Sequence, residues 1–228
     1  MQPVRRRSLV DDVVEQIRAE ISSGVWAVGD RIPSEYELIE RLGVSRPSVR
    51  ESVRALVQLG LLETRQGDGT YVVADDATQV ALRRAIGTAD SHEVIQVRRA
   101  LDALAAQLAA VHRSDADIDA LQEHLESRQL AIRSGDSEQF ITHDIAFHVG
   151  VAKASGNSLL ADLYASFDAS LRTSVADNSC LSRNADPDRA DLHNALYRAV
   201  AAQQPDQAVA AALGLLDQQA QSLLNGQE

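Results

Sequence analysis

Pro33-Ser34-Glu35-Tyr36-Glu37-Leu38 and, just downstream, Val44-Ser45-Arg46-Pro47-Ser48-Val49-Arg50-Glu51 decide the fold of the first part of this chain. Ser34 with Glu37 three residues later is a capping box, which starts a helix running to about Leu42. Gly43 supplies a tight turn. Ser45 is a natural N-cap for the next helix, and Pro47 is tolerated in its first turn. Val49, Val53, Leu56 and Val57 pack that helix inward, leaving Arg46, Arg50 and Arg54 as an outward stripe. Arg46 lies nearest the N-terminus, where a recognition helix enters the major groove and a guanidinium fork suits guanine. Ser45 and Ser48 lie where hydroxyls and free backbone N–H groups can hold phosphates.

Upstream, Leu9, Val13, Ile17 and Ile21 recur at helical spacing, with Gly24 and Gly29 ending that first helix. Downstream, Leu62 to Val73 reads as a hairpin with its turn at Gln66-Gly67-Asp68-Gly69. Arg65, Gln66, Gly67 and Gly69 then form a wing able to approach DNA. An arginine stripe alone is as often a solvated helix face. Caps, turn and wing in this order instead predict a winged helix-turn-helix over residues 1–75.

Charge bears on the same question. The chain of 228 residues has a formal net charge of −11, yet residues 1–74 hold ten Lys/Arg against eleven Asp/Glu. The other 154 residues hold twelve (22 − 10) against twenty-two (33 − 11) and carry the acidity. Phosphate attraction is therefore expected to be local, from Arg5, Arg6, Arg7, Arg46, Arg50, Arg54 and Arg65. The longest apolar run, Ala208 to Leu216, is nine residues, too short to span a bilayer. Arg5-Arg6-Arg7 leads into Asp11, Asp12 and Glu15 rather than an export segment. Cys180, the sole cysteine, excludes an internal disulfide, and a cytoplasmic protein with no membrane partner is expected.

Residues 76–90 read as a linker whose middle, Gln79 to Ile86, can form a short helix. From 91 to 228 helical periodicity takes over. Leu101, Leu104, Leu108 and Val111 mark one helix; Ile118, Leu121, Leu125 and Ile132 mark a second. A third spans Phe140–Ala154, and Leu160, Leu163, Phe167 and Leu171 mark a fourth. Two more are expected at about Asp188 to Ala202 and Asp206 to Leu224, with Pro187 and Pro205 as start signals. The expected fold is mainly α: the winged head, then an all-helical bundle of about six or seven helices.

Chemistry in this bundle concentrates on Phe140–Ala154. Phe140, Phe147 and Val151 form an apolar stripe with Asp144 inside it and His148 on its flank. A carboxylate on a buried face is costly unless compensated. Two readings fit the spacing: an Asp–His ion pair, or two ligands of a divalent metal with His193 as the third. Imidazoles with a carboxylate suit zinc first, with nickel or manganese as alternatives. Arg98 lies beside its helix's apolar stripe, where it can clamp an effector carboxylate or pair with Asp102. Arg172 is a second clamp candidate. His92, His112, His124 and His143 have no spacing partner and read as surface or helix-end residues.

Two resemblances now carry the reading further. The first 75 residues resemble the winged-helix head of the GntR family of bacterial transcription regulators. The matching pieces are Gly29-Asp30-Arg31-Ile32-Pro33-Ser34-Glu35, Val44 to Glu51, Leu59-Gly60-Leu61-Leu62 and Gly67-Asp68-Gly69-Thr70-Tyr71-Val72. The family commonly has arginine after Pro-Ser-Glu, where this chain has Tyr36. The resemblance implies that Arg46 and Arg50 carry the recognition-helix contacts and that Gly67 lets the wing enter the minor groove.

Residues 92–225 resemble the FCD ligand-binding domain of the FadR subfamily. Here Val97-Arg98-Arg99-Ala100-Leu101-Asp102, Asp144-Ile145-Ala146-Phe147-His148 and Ala154-Ser155-Gly156-Asn157 match. This implies a metal at Asp144, His148 and His193 that helps bind a small organic acid. A further histidine expected around Leu215 or Leu216 is absent. It also implies a homodimer on a palindromic double-stranded operator, a repressor that the acid releases. A body responding to an acyl ligand or to metal alone is the alternative within that class. A metal-dependent hydrolase fused to a DNA-binding head would need a general base, and none stands out.

Overall fold

The computed structural model describes residues 8–167, 172 and 191–225. Arg5, Leu171, Cys180 and Pro187 lie outside the described residues. The chain divides into two compact units, residues 1–84 and 85–228. Among the described residues there are ten helices and one two-stranded sheet.

The first unit contains α1 (Leu9–Ser22), α2 (Glu35–Leu42), α3 (Arg46–Gln58), β1 (Leu62–Arg65) and β2 (Gly69–Val72). Its helix ends follow the side-chain chemistry at each cap. Ser8 with Asp11 and Ser34 with Glu37 form reciprocal capping boxes, and Ser45 caps α3 by accepting from the Ser48 N–H. Gly43 ends α2 in the left-handed region at φ +65°, which glycine enters without a Cβ penalty. Val13, Ile17 and Ile21 of α1 pack with Leu38, Val49, Leu56, Leu62 and Val72 in one core, with Trp26 partly buried against it. Ser52 is fully buried within α3, but its hydroxyl donates to the carbonyls of Ser48 (2.9 Å) and Val10 (3.2 Å), which ties α3 to α1.

β1 and β2 pair antiparallel, with Leu62 opposite Val72 and Arg65 opposite Gly69. The sequence signals give the hairpin, and residues 29–32 line its outer edge. Gly29 N–H donates to Val72 O, Val72 N–H to Asp30 O and Ile32 N–H to Thr70 O. This pairing protects the β2 edge from other chains.

The second unit begins within α4 (Ala77–Thr88), a longer helix than the linker's Gln79–Ile86 suggests. It continues with α5 (Ser91–His112), α6 (Asp115–Ser134), α7 (Ser137–Ala154), α8 (Ser158–Ala165), α9 (Leu192–Ala201) and α10 (Pro205–Asn225). α7 packs on α6 and α5, while α10 packs on α5 and α9. Phe140, Phe147, Tyr164, Leu121, Leu196 and Leu216 are its largest fully buried side chains. The leucines that mark α5 do not make its buried face. Ala105, Ala106, Ala109 and Ala110 point inward with Arg98 and Asp102, while Val97, Leu104 and Val111 are exposed. Small alanines let neighbouring helices come close to two buried charged groups, a placement apolar periodicity does not capture.

Gly60 provides a direct test of packing in the first unit. Its φ is +76°, and an added Cβ would meet Val80 Cγ1 at 2.7 Å. The Gly60→Ala variant should lose about 1–2 kcal/mol from the left-handed backbone alone, and more from the clash. Trp26 is the sole tryptophan, so urea unfolding followed by its fluorescence reads this unit specifically. An unchanged midpoint would contradict the close approach.

Candidate functional site

In the first unit the candidate DNA-contacting side chains share the exposed side of α3 and the wing. Arg46, Arg50 and Arg54 expose 71%, 62% and 70% of their side chains, values that decide availability to a ligand. Arg46 Nε and Arg50 Nε each lie 3.5 Å from a different carboxylate oxygen of Glu35 on α2, so one acidic residue gathers both guanidinium groups. Arg54 lies 3.9 Å from Glu51. Ser45 Oγ is committed to its cap and sits 2.9 Å from Ser48 Oγ. On the wing, Arg65 pairs with Glu63 at 3.2 Å and lies 4.2 Å over the Tyr71 ring. Gln66 and Gly67 are exposed at the tip. Gly67 has φ +77°, and Gly69 has φ +154°, where a Cβ would run into the Arg31 side chain. Tyr36, at the position where arginine is common, is exposed.

The second unit brings Asp144, His148 and His193 together. Asp144 and His148 share one face of α7, one turn apart, and α9 contributes His193. His193 Nε2 lies 3.2 Å from Asp144 Oδ1, and His148 Nε2 lies 3.9 Å from Asp144 Oδ2. One donor atom from each residue falls within 4.8 Å of the others. The Phe147 ring borders both imidazoles, with centroid separations of 5.7 Å to His148 and 5.6 Å to His193.

Burial sets the protonation of this cluster. It pushes His148 down to about 3, even though the neighbouring Asp144 favours the charged ring. Burial and the Arg128 charge also lower His193. Both imidazoles are therefore neutral at pH 7, the form that binds metals. Burial works against ionisation of Asp144, but the Arg128 guanidinium donating to it outweighs that and holds its carboxyl below the ordinary carboxylate range.

The residues present fit a divalent transition metal. His193 Nε2 is buried without a hydrogen-bond partner; at 3.2 Å from Asp144 Oδ1 it lacks hydrogen-bond alignment. Two neutral imidazole nitrogens and a carboxylate oxygen are the donor types zinc prefers. At the level of α10 where a further histidine is expected, Leu215 is partly buried and Leu216 is fully buried.

Arg98 is buried, and its partners are internal. Nη2 donates to Asp102 Oδ2 at 3.3 Å and to the Tyr164 hydroxyl at 3.4 Å; Nη1 donates to Gln219 Oε1 at 2.8 Å. Of the two arrangements its spacing allows, the structure holds the ion pair with Asp102. Arg98 Nε and Asp102 Oδ1 remain buried without partners. A small cavity of about 10 Å³, room for about one water, lies between the two clusters, bordered by His148, Asp102, Tyr164, Val151, Leu196 and Ala212. Arg172 is exposed.

Several groups in this region escape sequence reading. Arg128 of α6 is buried, and its Nε donates to Asp144 Oδ1 at 2.6 Å. A signal existed: Ile118, Leu121, Leu125 and Ile132 leave one gap in their stripe, and Arg128 fills it. Tyr164 lies four residues after Leu160, on the buried side of α8. Gln219 is 121 residues from Arg98, and nothing local links them. His124 and His143, which read as unpartnered, meet across α6 and α7 with Nδ1 atoms 3.4 Å apart.

The low value of His148 has a pH consequence. An unfolded chain protonates this ring near pH 6.5, whereas the folded chain does so near 3. As pH falls through that window the unfolded state gains the proton, so folding weakens by about 1.4 kcal/mol per pH unit from this group. The ring-proton NMR signals of His148 should stay unshifted from pH 8 to 5. A midpoint near 6.5 would contradict its burial.

Similar proteins fall in one group. Residues 9–72 match the family described as bacterial regulatory proteins, gntR family, and residues 93–218 match the FCD domain. The HTH-type transcriptional regulator LutR of Bacillus subtilis is 33% identical over 204 residues, covering 86% of this chain and 92% of LutR. The Uxu operon transcriptional regulator of Escherichia coli is 32% identical over 158 residues, 67% of this chain and 61% of that protein. Among solved structures, the Streptococcus agalactiae GntR protein aligns with a TM-score of 0.63 at 25% identity, covering 92% of this chain and 98% of that one.

Proposed function

The chain belongs to the GntR family of bacterial regulatory proteins with an FCD domain, and on that premise we propose a repressor released from its operator by a small organic acid. It is a DNA-binding transcription regulator of the FadR-like, FCD-containing type, and its relatives are regulators rather than enzymes. No helix among the described residues is long and apolar enough to cross a membrane. A cytoplasmic home follows from the DNA it reads.

The observation that carries the effector reading is the cavity joining His148 to Asp102 and Tyr164. At about 10 Å³ it has room for about one water, so a ligand has to displace side chains to enter, which disfavours a long acyl chain more than a small acid. Asp144, His148 and His193 would hold the divalent ion, zinc first by donor type. That ion would act as a Lewis-acidic anchor for the acid's carboxylate. Asp102 borders the same cavity and its Oδ1 has no donor, which a hydroxyl on the acid would supply. Arg98 acts from behind, holding Asp102 and Tyr164 in place.

In the head, Arg46 and Arg50 read base edges in the major groove, and Ser45, Ser48 and Arg54 contact the backbone. Arg65, Gln66, Gly67 and Gly69 of the wing, with Arg5, complete the contact set. One head reads one half-site, so a homodimer on a palindrome is the expected form. The exposed Val97, Leu104 and Val111 of α5 offer apolar surface for a second copy.

Selection of genomic fragments by the full-length chain, followed by titration of the enriched site, tests both ends. Arg46→Ala should erase roughly 1–3 kcal/mol of preference for that site over random DNA. Retained preference would overturn the recognition-helix assignment. His148→Ala should bind the site normally yet ignore small acids that release the wild type. An unchanged response would overturn the metal-centred effector site.

A further inference from the structure

Asp144 already has a cation. Arg128 is buried, its Nε donates to Asp144 Oδ1 at 2.6 Å, and its guanidinium lies 4.9 Å over the Phe140 ring. In a cluster of one buried carboxylate and two imidazoles, a metal ion ordinarily supplies the positive charge that compensates the carboxylate. Here a guanidinium that cannot lose its proton supplies it from α6.

We propose that Arg128 is a resident counter-cation at this cluster, so that the body is folded and charge-balanced without a metal and holds a divalent ion only weakly. This inference rests on the reading of Asp144, His148 and His193 as a metal site. The geometry makes the case. Arg128 Nε holds Asp144 Oδ1 at 2.6 Å, the same oxygen that lies 3.2 Å from His193 Nε2, so the carboxylate is paired before any ion enters. A divalent ion would add two positive charges beside a fixed one and would compete with Arg128 for Asp144 Oδ1. The surplus is relieved when an anion joins the ion, so metal and acid enter as a pair. A metal-dependent fold would show the opposite, an uncompensated carboxylate in the absence of the ion.

The opposing view gives Arg128 an orienting role, in which it fixes the Asp144 carboxylate for the metal. Removing such an outer partner weakens metal binding by roughly 10–100-fold. The two views predict opposite signs. Full-length chain is stripped with chelator, dialysed and titrated with zinc against a colorimetric chelator of known affinity, as wild type and as Arg128→Met. The expected result is zinc binding at least about tenfold tighter in the variant. Equal or weaker binding, with zinc still held by the wild type, overturns this proposal alone. Zinc bound by neither chain removes the metal reading and this proposal with it.

Two further readouts cover a variant that folds poorly. Thermal unfolding of the wild-type body should be unmoved by excess chelator, and a lowered midpoint would overturn the proposal. An Arg128→Met chain that is unfolded when metal-free should be restored by excess zinc. Failure of zinc to restore it would also overturn the proposal.

Discussion

Everything distinctive about the helical body is arranged around one buried carboxylate. Asp144 lies among Phe140, Phe147 and Val151, where an uncompensated charge would cost several kcal/mol. α6 answers with Arg128, α7 itself with His148 and α9 with His193. Three helices are thus held in register by one charge, and one of the side chains around it, His148, also borders the small cavity next to Asp102 and Tyr164. The second polar cluster, Arg98 with Asp102, Tyr164 and Gln219, repeats the pattern at the other end of that cavity.

The head was legible almost residue by residue because its signals are local. Ser34 and Glu37, Ser45 and Pro47, and Gly43 each act within one helical turn, and each performs in the structure as its chemistry requires. The hairpin was legible for the same reason. The edge formed by residues 29–32 and the Arg31 side chain beneath Gly69 were not, since both depend on chain returning from far away.

In the body the helices were legible, but only part of their inward faces was. Asp144 and His148 could be placed together because helical geometry fixes an i, i+4 pair; His193 was offered as a third ligand, beside Leu192 and Leu196, and the resemblance added weight to it. Arg128 hid in plain view: arginine in an apolar stripe is ordinarily read as an interruption, and only packing against α7 turns it into a partner. α5 misled for a related reason. Its leucines advertise a buried stripe, whereas its alanines and its one buried ion pair occupy the inward face. The meeting of His124 with His143 depends on how α6 is rotated against α7, information that no single helix carries.

Glu35 gives the head a kinetic character. Arg46 and Arg50 already share this carboxylate, so on the proposed recognition-helix assignment meeting DNA would exchange one acceptor for another rather than capture bare charge. At a full site, base edges and phosphates together outbid a half-exposed ion pair of small worth. At a random sequence the phosphates alone scarcely do, and the arginines return to Glu35. On that assignment the residence time on irrelevant DNA would be shortened accordingly. A near-neutral head on an acidic body would then scan by brief visits, dwelling only where the trade is clearly favourable.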